Sequence, residues 1–141
     1  MSDDEMLATV NYCGNGFYIG TSPSGHAQVM DVDHDRSAAA TPVELLLIAL
    51  GGCTAVDVVS ILKKRREELI DYKVEVRGSR RDEHPRSYNR MEVRHILTGK
   101  GLSRESVAKA IELSETKYCS VAATFRPTVE ITSTFEIIEA V

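Results

Sequence analysis

Short β-prone segments separated by turn residues make up the start of the chain. They are MLATVNY, FYIGT and HAQVMDV, and the turns between them are CGNG and SPSG. Runs of β-branched and aromatic residues bounded by glycine, proline and asparagine favour strands joined in a meander. We therefore predict three consecutive strands in this part of the sequence.

A long apolar helix is predicted next, from TPVELLLIALGGCTAVDVVSILKKR, residues 41–65. Thr41 suits the N-cap and Pro42 suits the first helical position, while Glu44 completes a capping box by reaching back to the Thr41 amide. Apolar residues occupy all sides of this helix through Leu50 and only one side near its C-terminal end. We expect its first half to be buried all round and its second half to lie at the surface.

Periodicity also defines the remaining elements. Two alternating segments, YKVEVRG and NRMEVRHILTG, predict strands joined by the loop SRRDEHPRSY. A second helix is predicted from Ser103 as N-cap to about Cys119 or slightly beyond, with Leu102 and Val107 placed as a hydrophobic staple. Its inner stripe is Val107, Ala110, Ile111 and Ser114. Pro127 then introduces a last strand, TVEITSTFEII.

The predicted order of elements is βββ–α–ββ–α–β, without repeats, linkers or low-complexity segments. Strands grouped between only two helices indicate an α+β fold, with the helices on the inner face of curved antiparallel sheets. The 141 residues are expected to form a single domain over residues 1–141. A domain of that length buries roughly two-thirds of the surface that its unfolded chain exposes.

The composition of the chain restricts the kinds of partner that it is expected to bind. The chain is 43% hydrophobic and 27% charged with a net charge of -4, which is typical of a globular protein and argues against nucleic acid as a partner. The N-terminal MSDDEM lacks the pattern of a signal peptide, and the longest uncharged run, Leu45–Val56, is shorter than the roughly 20 residues that span a bilayer. We expect a cytoplasmic protein without a membrane partner, whose thiols stay reduced.

Two glycines, Gly51 and Gly52, stand directly before Cys53 inside the long helix. Each glycine costs about 1 kcal/mol relative to alanine in a helix interior, so the pair needs an explanation. One explanation is a helix break in which Cys53 or Thr54 opens a new segment, because amides at a helix N-terminus lower a thiol pKa. The other is close approach of another helix or a ligand. The alternative without a function is tight packing around an inert, buried cysteine.

A second cysteine, Cys119, lies near the end of the second helix. If both helices pack centrally, its thiol can meet that of Cys53, and two such thiols suggest a redox couple in which one attacks an oxidant and the other resolves the sulfenic acid. Cys13, in a turn between edge strands, is interpreted as incidental.

One carboxylate complicates this hypothesis. Asp57 follows Cys53 by one helical turn on the same face. A bare carboxylate raises the pKa of a neighbouring thiol, so a functional site needs a cation nearby. The candidates are Arg36, Arg77, Arg80, Arg81, Arg86, Arg90 and Arg94.

No metal site is predicted. The three cysteines contain no CxxC pair, and the four histidines show no metal-ligand spacing with each other or with cysteine. The segment DVDHDR resembles the start of a calcium loop, but Arg36 occupies the glycine position and Pro42 the position of the terminal glutamate. We expect neither a resident metal ion nor another cofactor.

Three segments resemble the OsmC/Ohr family, and specifically its YhfA-type branch. They are SAAATPVELLLIALGGCTAVDVVSILKK, VEVRGSRRDEHPRSYNRMEV and AKAIELSETKYCSVAATF. The resemblance runs from about Ala27 to the C-terminus. It implies an α+β fold in which two chains intertwine as a homodimer, with the cysteine-bearing helices at its centre and an active site at each end of the interface.

The resemblance also implies an activity, because the characterised members of this family are thiol peroxidases that reduce organic hydroperoxides. It implies Cys53 as the peroxidatic thiol and Cys119 as the resolving thiol. The implied substrate is a small organic hydroperoxide, which an apolar pocket would favour over hydrogen peroxide. A dithiol would restore the pair, as lipoyl groups do for Ohr-type relatives.

The sequence departs from the family pattern at both residues that hold the thiolate: Val43 replaces the glutamate, and no arginine before the helix matches that of the family, although Arg36 is near. Ohr-type enzymes hold the thiolate with an arginine and with a glutamate directly after the helix-opening proline, where this chain has Val43. The neighbouring Glu44 lies on the opposite side of an ideal helix from Cys53. Two alternatives therefore stay open: a ligand-binding or structural relative with inert cysteines, and a different cysteine chemistry such as thioester handling.

Overall fold

A computed structural model describes residues 5–141. Its internal contacts divide the chain into two compact units, one ending at Leu46 and the other spanning Leu47–Val141. The signal-peptide prediction rests partly on residues 1–4, which lie outside the described range. That residues 1–141 act as one domain stays a prediction.

The first unit contains a three-stranded antiparallel meander, as the turn residues predicted. Its strands, in the order β1-β2-β3, are β1 (Thr9–Gly14), β2 (Phe17–Thr21) and β3 (Ala27–Asp31). The turn between β1 and β2 has positive φ at three successive residues, Gly14 (φ 87), Asn15 (φ 53) and Gly16 (φ 85). Glycine and asparagine tolerate this left-handed backbone, which explains the CGNG segment.

A buried carboxylate closes the loop after β3. Asp31 accepts hydrogen bonds from the Arg36 guanidinium at 2.8 and 2.7 Å and from the Asp33 and Ala38 amides, each at 2.9 Å. The guanidinium also stacks on the Phe17 ring, 3.9 Å from its centroid. The arginine is the main reason that the pKa of Asp31 lies well below its usual range. The Arg36 guanidinium thus binds the carboxylate that a calcium ion would need as a ligand. The DVDHDR segment therefore closes a loop through this ion pair.

The second unit contains the remaining three strands, most of the long apolar helix and two shorter helices. They are β4 (Glu68–Arg80), β5 (Tyr88–Lys100) and β6 (Glu130–Glu139), with α1 (Pro42–Lys64), α2 (Arg104–Leu113) and α3 (Ser120–Phe125). A π-helical turn, Ser114–Tyr118, separates α2 from α3. The predicted α+β class and element order are confirmed, except that the second predicted helix is divided into these three pieces.

The last strand runs in a direction that the sequence did not reveal. β6 pairs parallel with β5, whereas β4 and β5 are antiparallel. The prediction of wholly antiparallel sheets was therefore wrong for the β5–β6 pair. The physical reason is that α2, the π turn and α3 carry the chain back along the sheet, so β6 starts from the same end as β5, as in a strand–helix–strand crossover.

Helix α1 buries one stripe of side chains at four-residue spacing, consisting of Leu50, Thr54, Val58 and Leu62. Val58 and Leu62 join a core with Leu97, Leu102, Val107, Ala110 and Ile111. The expectation of all-round burial in the first half of α1 was wrong for a single chain, because Ile48 is 62% exposed and Leu46 is 40% exposed. The chain covers one face of α1 and leaves other apolar positions in contact with solvent.

By length and composition, α1 could cross a membrane. It has 23 residues, and its most apolar 18-residue window has a mean hydropathy of 2.3. Within the chain, 28% of that window is buried. The uncharged run counted in the sequence is shorter than this window because Asp57 ends it. A core helix of a protein in water passes the same test, so the finding identifies apolar surface without identifying what covers it.

Candidate active site

Helix α1 carries the first candidate cysteine and is continuous from Pro42 to Lys64, so the double glycine does not break it. A Cβ added at Gly51 would lie 3.1 Å from Val76 Cγ2, which means that β4 approaches the helix backbone closely here. A Cβ added at Gly52 would meet no atom within 4 Å in the described part of the chain. Close approach therefore explains Gly51 and not Gly52.

The second candidate cysteine lies at a joint between helices. After the π turn, Cys119 adopts an extended backbone (φ -74, ψ 103) and becomes the N-cap of α3. Its amide donates to the Ser114 carbonyl at 2.7 Å, and its sulfur accepts from the Ala122 amide at 3.4 Å. The prediction of a helix running through Cys119 is corrected accordingly. π turns of this kind often occur at functional sites.

The two cysteines that the sequence singled out lie together in the second unit. The Sγ atoms of Cys53 and Cys119 and a carboxylate oxygen of Asp57 all lie within 4.8 Å of one another. Cys119 is 4% exposed, Cys53 and Asp57 are partly buried, and both cysteines are free thiols. A dithiol with an adjacent carboxylate can undergo reversible oxidation, exchange disulfides or bind a soft cation.

Two buried hydroxyls support this cluster. The Ser114 hydroxyl donates to Asp57 Oδ2 at 2.9 Å and lies 3.0 Å from the Thr54 hydroxyl. Because the Ser114 proton points at the carboxylate, Thr54 donates to Ser114. The sequence placed Ser114 on the inner stripe of the second helix without giving it a polar partner. The sequence feature that could have indicated this pair is that Thr54 and Ser114 each place a hydroxyl on an otherwise apolar helix face.

Burial raises the pKa of the Cys119 thiol to about 11. The Ala122 amide acts in the opposite direction, and the neighbouring Cys53 and Asp57 add smaller increases. Since the thiolate is the nucleophilic form of cysteine, Cys119 is poorly suited to make the first attack on an oxidant at neutral pH.

The expected arginine partner is missing from the second unit. Within residues 47–141, no Lys or Arg nitrogen lies within 4.0 Å of the Asp57 carboxylate. Six of the seven arginines proposed from the sequence have other partners. Arg94 pairs with Glu136 at 2.7 Å, Arg90 pairs with Glu92, and Arg80, Arg81 and Arg86 donate to carbonyls of the β4–β5 loop. Arg77 lines a different cavity, together with Glu75 and Glu92. In the first unit, Arg36 pairs with Asp31.

One lysine shares a cavity with the carboxylate. The cavity has a volume of about 290 Å³ and is lined by Asp57, Ser60, Ile61, Lys64, Leu113 and Tyr118. Only arginines were expected from the sequence as the offsetting cation, whereas Lys64 lies two helical turns beyond Asp57 on the same helix. It is the cationic residue of this cavity.

Glu44 serves as a helix cap. Its carboxylate accepts from the Thr41 amide at 2.9 Å, while its own amide donates to the Thr41 hydroxyl at 3.4 Å. These bonds confirm the predicted capping box, and the bond from the Thr41 amide is the main reason that the pKa of Glu44 lies below its usual value.

Comparison with known proteins gives the family. A family model described as OsmC-like protein matches residues 33–134. Protein YhfA of Escherichia coli (strain K12) is 40% identical over 135 residues, which cover 96% of this chain and 100% of YhfA. A hypothetical protein from Aquifex aeolicus VF5 is 27% identical, with a TM-score of 0.87 and coverage of 98% of this chain and 99% of that one.

A more distant likeness concerns the fold alone. The organic hydroperoxide resistance protein OhrB of Bacillus subtilis is 17% identical, with a TM-score of 0.63 and coverage of 94% of this chain and 98% of that one. The extent of the family match and the identity to YhfA agree with the segments that the sequence analysis compared. This chain belongs to the OsmC-like protein family.

Proposed function

We propose that this protein is a thiol-dependent peroxidase that reduces organic hydroperoxides, with Cys53 as the peroxidatic thiol and Cys119 as the resolving thiol. The observation that carries the proposal is the approach of two free thiols from distant parts of the sequence to within 4.8 Å. The name of OhrB, an organic hydroperoxide resistance protein of the same fold, supports it.

The proposed cycle balances with one peroxide and one dithiol. The Cys53 thiolate attacks the distal oxygen, the O–O bond breaks, and the alcohol leaves after taking up a proton, so that Cys53 becomes a sulfenic acid. The Cys119 thiol then attacks the Cys53 sulfur, and water leaves as the disulfide forms. An external dithiol, for which a lipoyl group is our proposal, reduces the disulfide by exchange and is itself oxidised to a disulfide.

The different surroundings of the two thiols support this division of roles. Cys119 is buried with a raised pKa, and is therefore held as a protonated thiol until Cys53 has reacted. Cys53 is partly exposed and can meet a substrate. The cavity beside Asp57, which neither Cys53 nor Cys119 lines, has apolar walls at Ile61, Leu113 and Tyr118, and we propose that the alkyl chain of the substrate lies there.

We also propose that a second copy of this chain covers the apolar surface of α1, forming a homodimer in the cytoplasm. Val56 is 70% exposed and Val59 is 40% exposed, and the family resemblance implies that the cysteine-bearing helices meet at a dimer centre. Sedimentation equilibrium should give a dimer for the wild type and a monomer for Val56→Glu, with Ala108→Glu on exposed α2 surface as the control. A monomeric wild type, or one recovered with membranes, would refute the dimer.

The activity is tested by stopped-flow oxidation of the reduced protein with cumene hydroperoxide in the presence of a chelator. Wild type and Cys13→Ser should rapidly lose two thiols per chain, with a Cys53–Cys119 disulfide in the mass spectrum. Cys53→Ser should not react, and Cys119→Ser should stop at a sulfenic acid that dimedone traps. Oxidation no faster than that of free cysteine would reject the proposal.

One observation favours a second candidate, a relative with inert cysteines. Within residues 47–141, no cation pairs with Asp57 to offset its charge beside the thiols. Slow oxidation of wild type, equal to that of Cys53→Ser, would establish this candidate. A stable acyl adduct on Cys53 in the same mass spectra would instead indicate thioester chemistry.

A further inference from the structure

We propose that Cys53, Asp57 and Cys119 also form a binding site for a thiophilic divalent cation such as Zn²⁺. Zinc accepts thiolate ligands at about 2.3 Å and carboxylate oxygens at about 2.0–2.2 Å. The three ligand atoms lie within 4.8 Å of one another. A point equidistant from three atoms at that spacing lies about 2.8 Å from each, so shifts of about 0.5 Å for each sulfur and about 0.6–0.8 Å for the oxygen would close the site.

The charge of the cluster favours such an ion. Two thiols and a carboxylate share a partly buried space, and no Lys or Arg nitrogen of residues 47–141 lies within 4.0 Å of the carboxylate. Thiolates formed beside this partly buried carboxylate would need a cationic partner. A divalent cation would supply that charge, whereas the same arrangement without one disfavours ionisation of the thiols.

The hydrogen bonds around the cluster already hold its ligands in place. Ser114 donates to Asp57 Oδ2, which leaves Oδ1 available to a metal, and Thr54 lies behind Ser114. The Ala122 amide donates to the Cys119 sulfur and would stabilise it as a thiolate ligand. Hydrogen bonds of this kind orient the ligands of metal sites and tune their affinity.

The composition of the site explains why the sequence did not indicate it. Cys53 and Asp57 are one turn apart on α1, and Cys119 comes from the joint before α3. No CxxC or histidine spacing arises, because the ligands converge only when the two helical segments pack. Three ligands leave a fourth tetrahedral position open.

Binding of the ion replaces both thiol protons, so two protons are released for each Zn²⁺ bound. The metal-bound thiolates would react more slowly with a hydroperoxide than free thiolates do, and this consequence, unlike the binding itself, rests on the proposed function. Oxidation of the loaded site also balances: the zinc dithiolate, one hydroperoxide and two protons give the disulfide, an alcohol, water and free Zn²⁺.

The binding is tested with Co²⁺ and Cd²⁺ on the reduced full-length protein, without any hydroperoxide. Wild type and Cys13→Ser should bind one ion per chain, with an ultraviolet sulfur-to-metal charge-transfer band and, for Co²⁺, intense visible bands of tetrahedral geometry. Zn²⁺ should remove the Co²⁺ bands by displacement, because the same ligands bind Zn²⁺ more tightly than Co²⁺. Cys53→Ser and Cys119→Ser should each lose most of the charge-transfer intensity.

The carboxylate variant provides a second readout. Asp57→Asn should keep the charge-transfer band and bind at least about tenfold more weakly, since ligand substitutions act at least as strongly as the changes of about 10- to 100-fold seen for outer hydrogen bonds. Glu112→Gln, an exposed acid on α2, is the matched control and should bind like wild type. No band in the wild type, or metal retained equally by the Cys53→Ser/Cys119→Ser double variant, would overturn the proposal. Because the peroxidase assay contains a chelator and this one contains no peroxide, either proposal can fail alone.

Discussion

The hydroxyl of Ser114 donates a 2.9 Å hydrogen bond to the carboxylate of Asp57, which lies 57 positions earlier in the chain. This bond joins the end of α2 to the middle of α1, directly beside both thiols. Ser114 has no exposed surface, and Thr54, its other partner, is 3% exposed, so water has little access to these hydroxyls. The bond is therefore both a packing constraint and a means of positioning the carboxylate.

Removing this hydrogen bond should weaken both the fold and the site. Ser114→Ala leaves the Thr54 hydroxyl and a carboxylate oxygen of Asp57 without their partner, which should lower the free energy of unfolding by about 1–3 kcal/mol. Formation of the Cys53–Cys119 disulfide should also slow. Urea denaturation and thiol loss measure the two effects, with exposed Ser120→Ala as the control, expected within about 0.5 kcal/mol of wild type. Equal stability of the two variants would contradict this role for Ser114.

Neutralising the carboxylate should have opposite effects on two measurements. Asp57 contributes to the raised pKa of Cys119. In metal-free protein, Asp57→Asn should therefore speed disulfide closure by about twofold or more, because the neutral amide no longer disfavours the Cys119 thiolate. The same variant should bind Cd²⁺ more weakly. Closure slower than in wild type would show that Asp57 instead accepts a proton from the resolving thiol.

A buried histidine should make stability depend on pH. His95 has no exposed surface, its Nδ1 lies 2.6 Å from the Tyr72 hydroxyl, and its Nε2 has no partner among the described residues. Burial lowers the pKa of His95 to about 4, and burial raises the pKa of Tyr72, so the phenol donates to Nδ1. The buried imidazole is therefore neutral at pH 7.

The sign follows from proton linkage. Below about pH 6.5 the unfolded chain binds a proton at His95 that the folded chain does not bind until about pH 4. The contribution of the neutral, buried His95 to the free energy of unfolding is therefore fully present above about pH 6.5. As the pH falls towards about 4, the free energy of unfolding decreases by about 3 kcal/mol at most. Denaturation between pH 7 and 4 should give a steeper loss for wild type than for His95→Phe, and equal slopes would contradict the assignment.

The two glycines of α1 should respond differently to alanine. At Gly52 a methyl group meets nothing within 4 Å in the described chain, so Gly52→Ala should stabilise a single chain by about 0.5–1 kcal/mol through helix propensity. At Gly51 the methyl group would lie 3.1 Å from Val76, and this contact should cancel or reverse the gain. Thermal denaturation of both variants measures the difference. A destabilised Gly52→Ala would mean that a second chain covers this position.

The sequence by itself determined the order of the elements and the residues at which α1 and α2 begin. The capping box of Thr41 and Glu44 and the N-cap at Ser103 act between residues three positions apart, and both formed as predicted. The family could also be identified from contiguous motifs around the two cysteines. Such features depend on local hydrogen bonds and periodicity, which the sequence specifies directly.

Only the tertiary structure decided the direction of β6, the extended backbone at Cys119 and the meeting of Asp57 with Ser114. It also decided that Arg90 and Arg94 of β5 pair with glutamates and not with Asp57. Each of these outcomes depends on contacts between residues far apart in the chain. Several pairings are compatible with the same local pattern, and the packing of the whole unit selects the one with the lowest free energy.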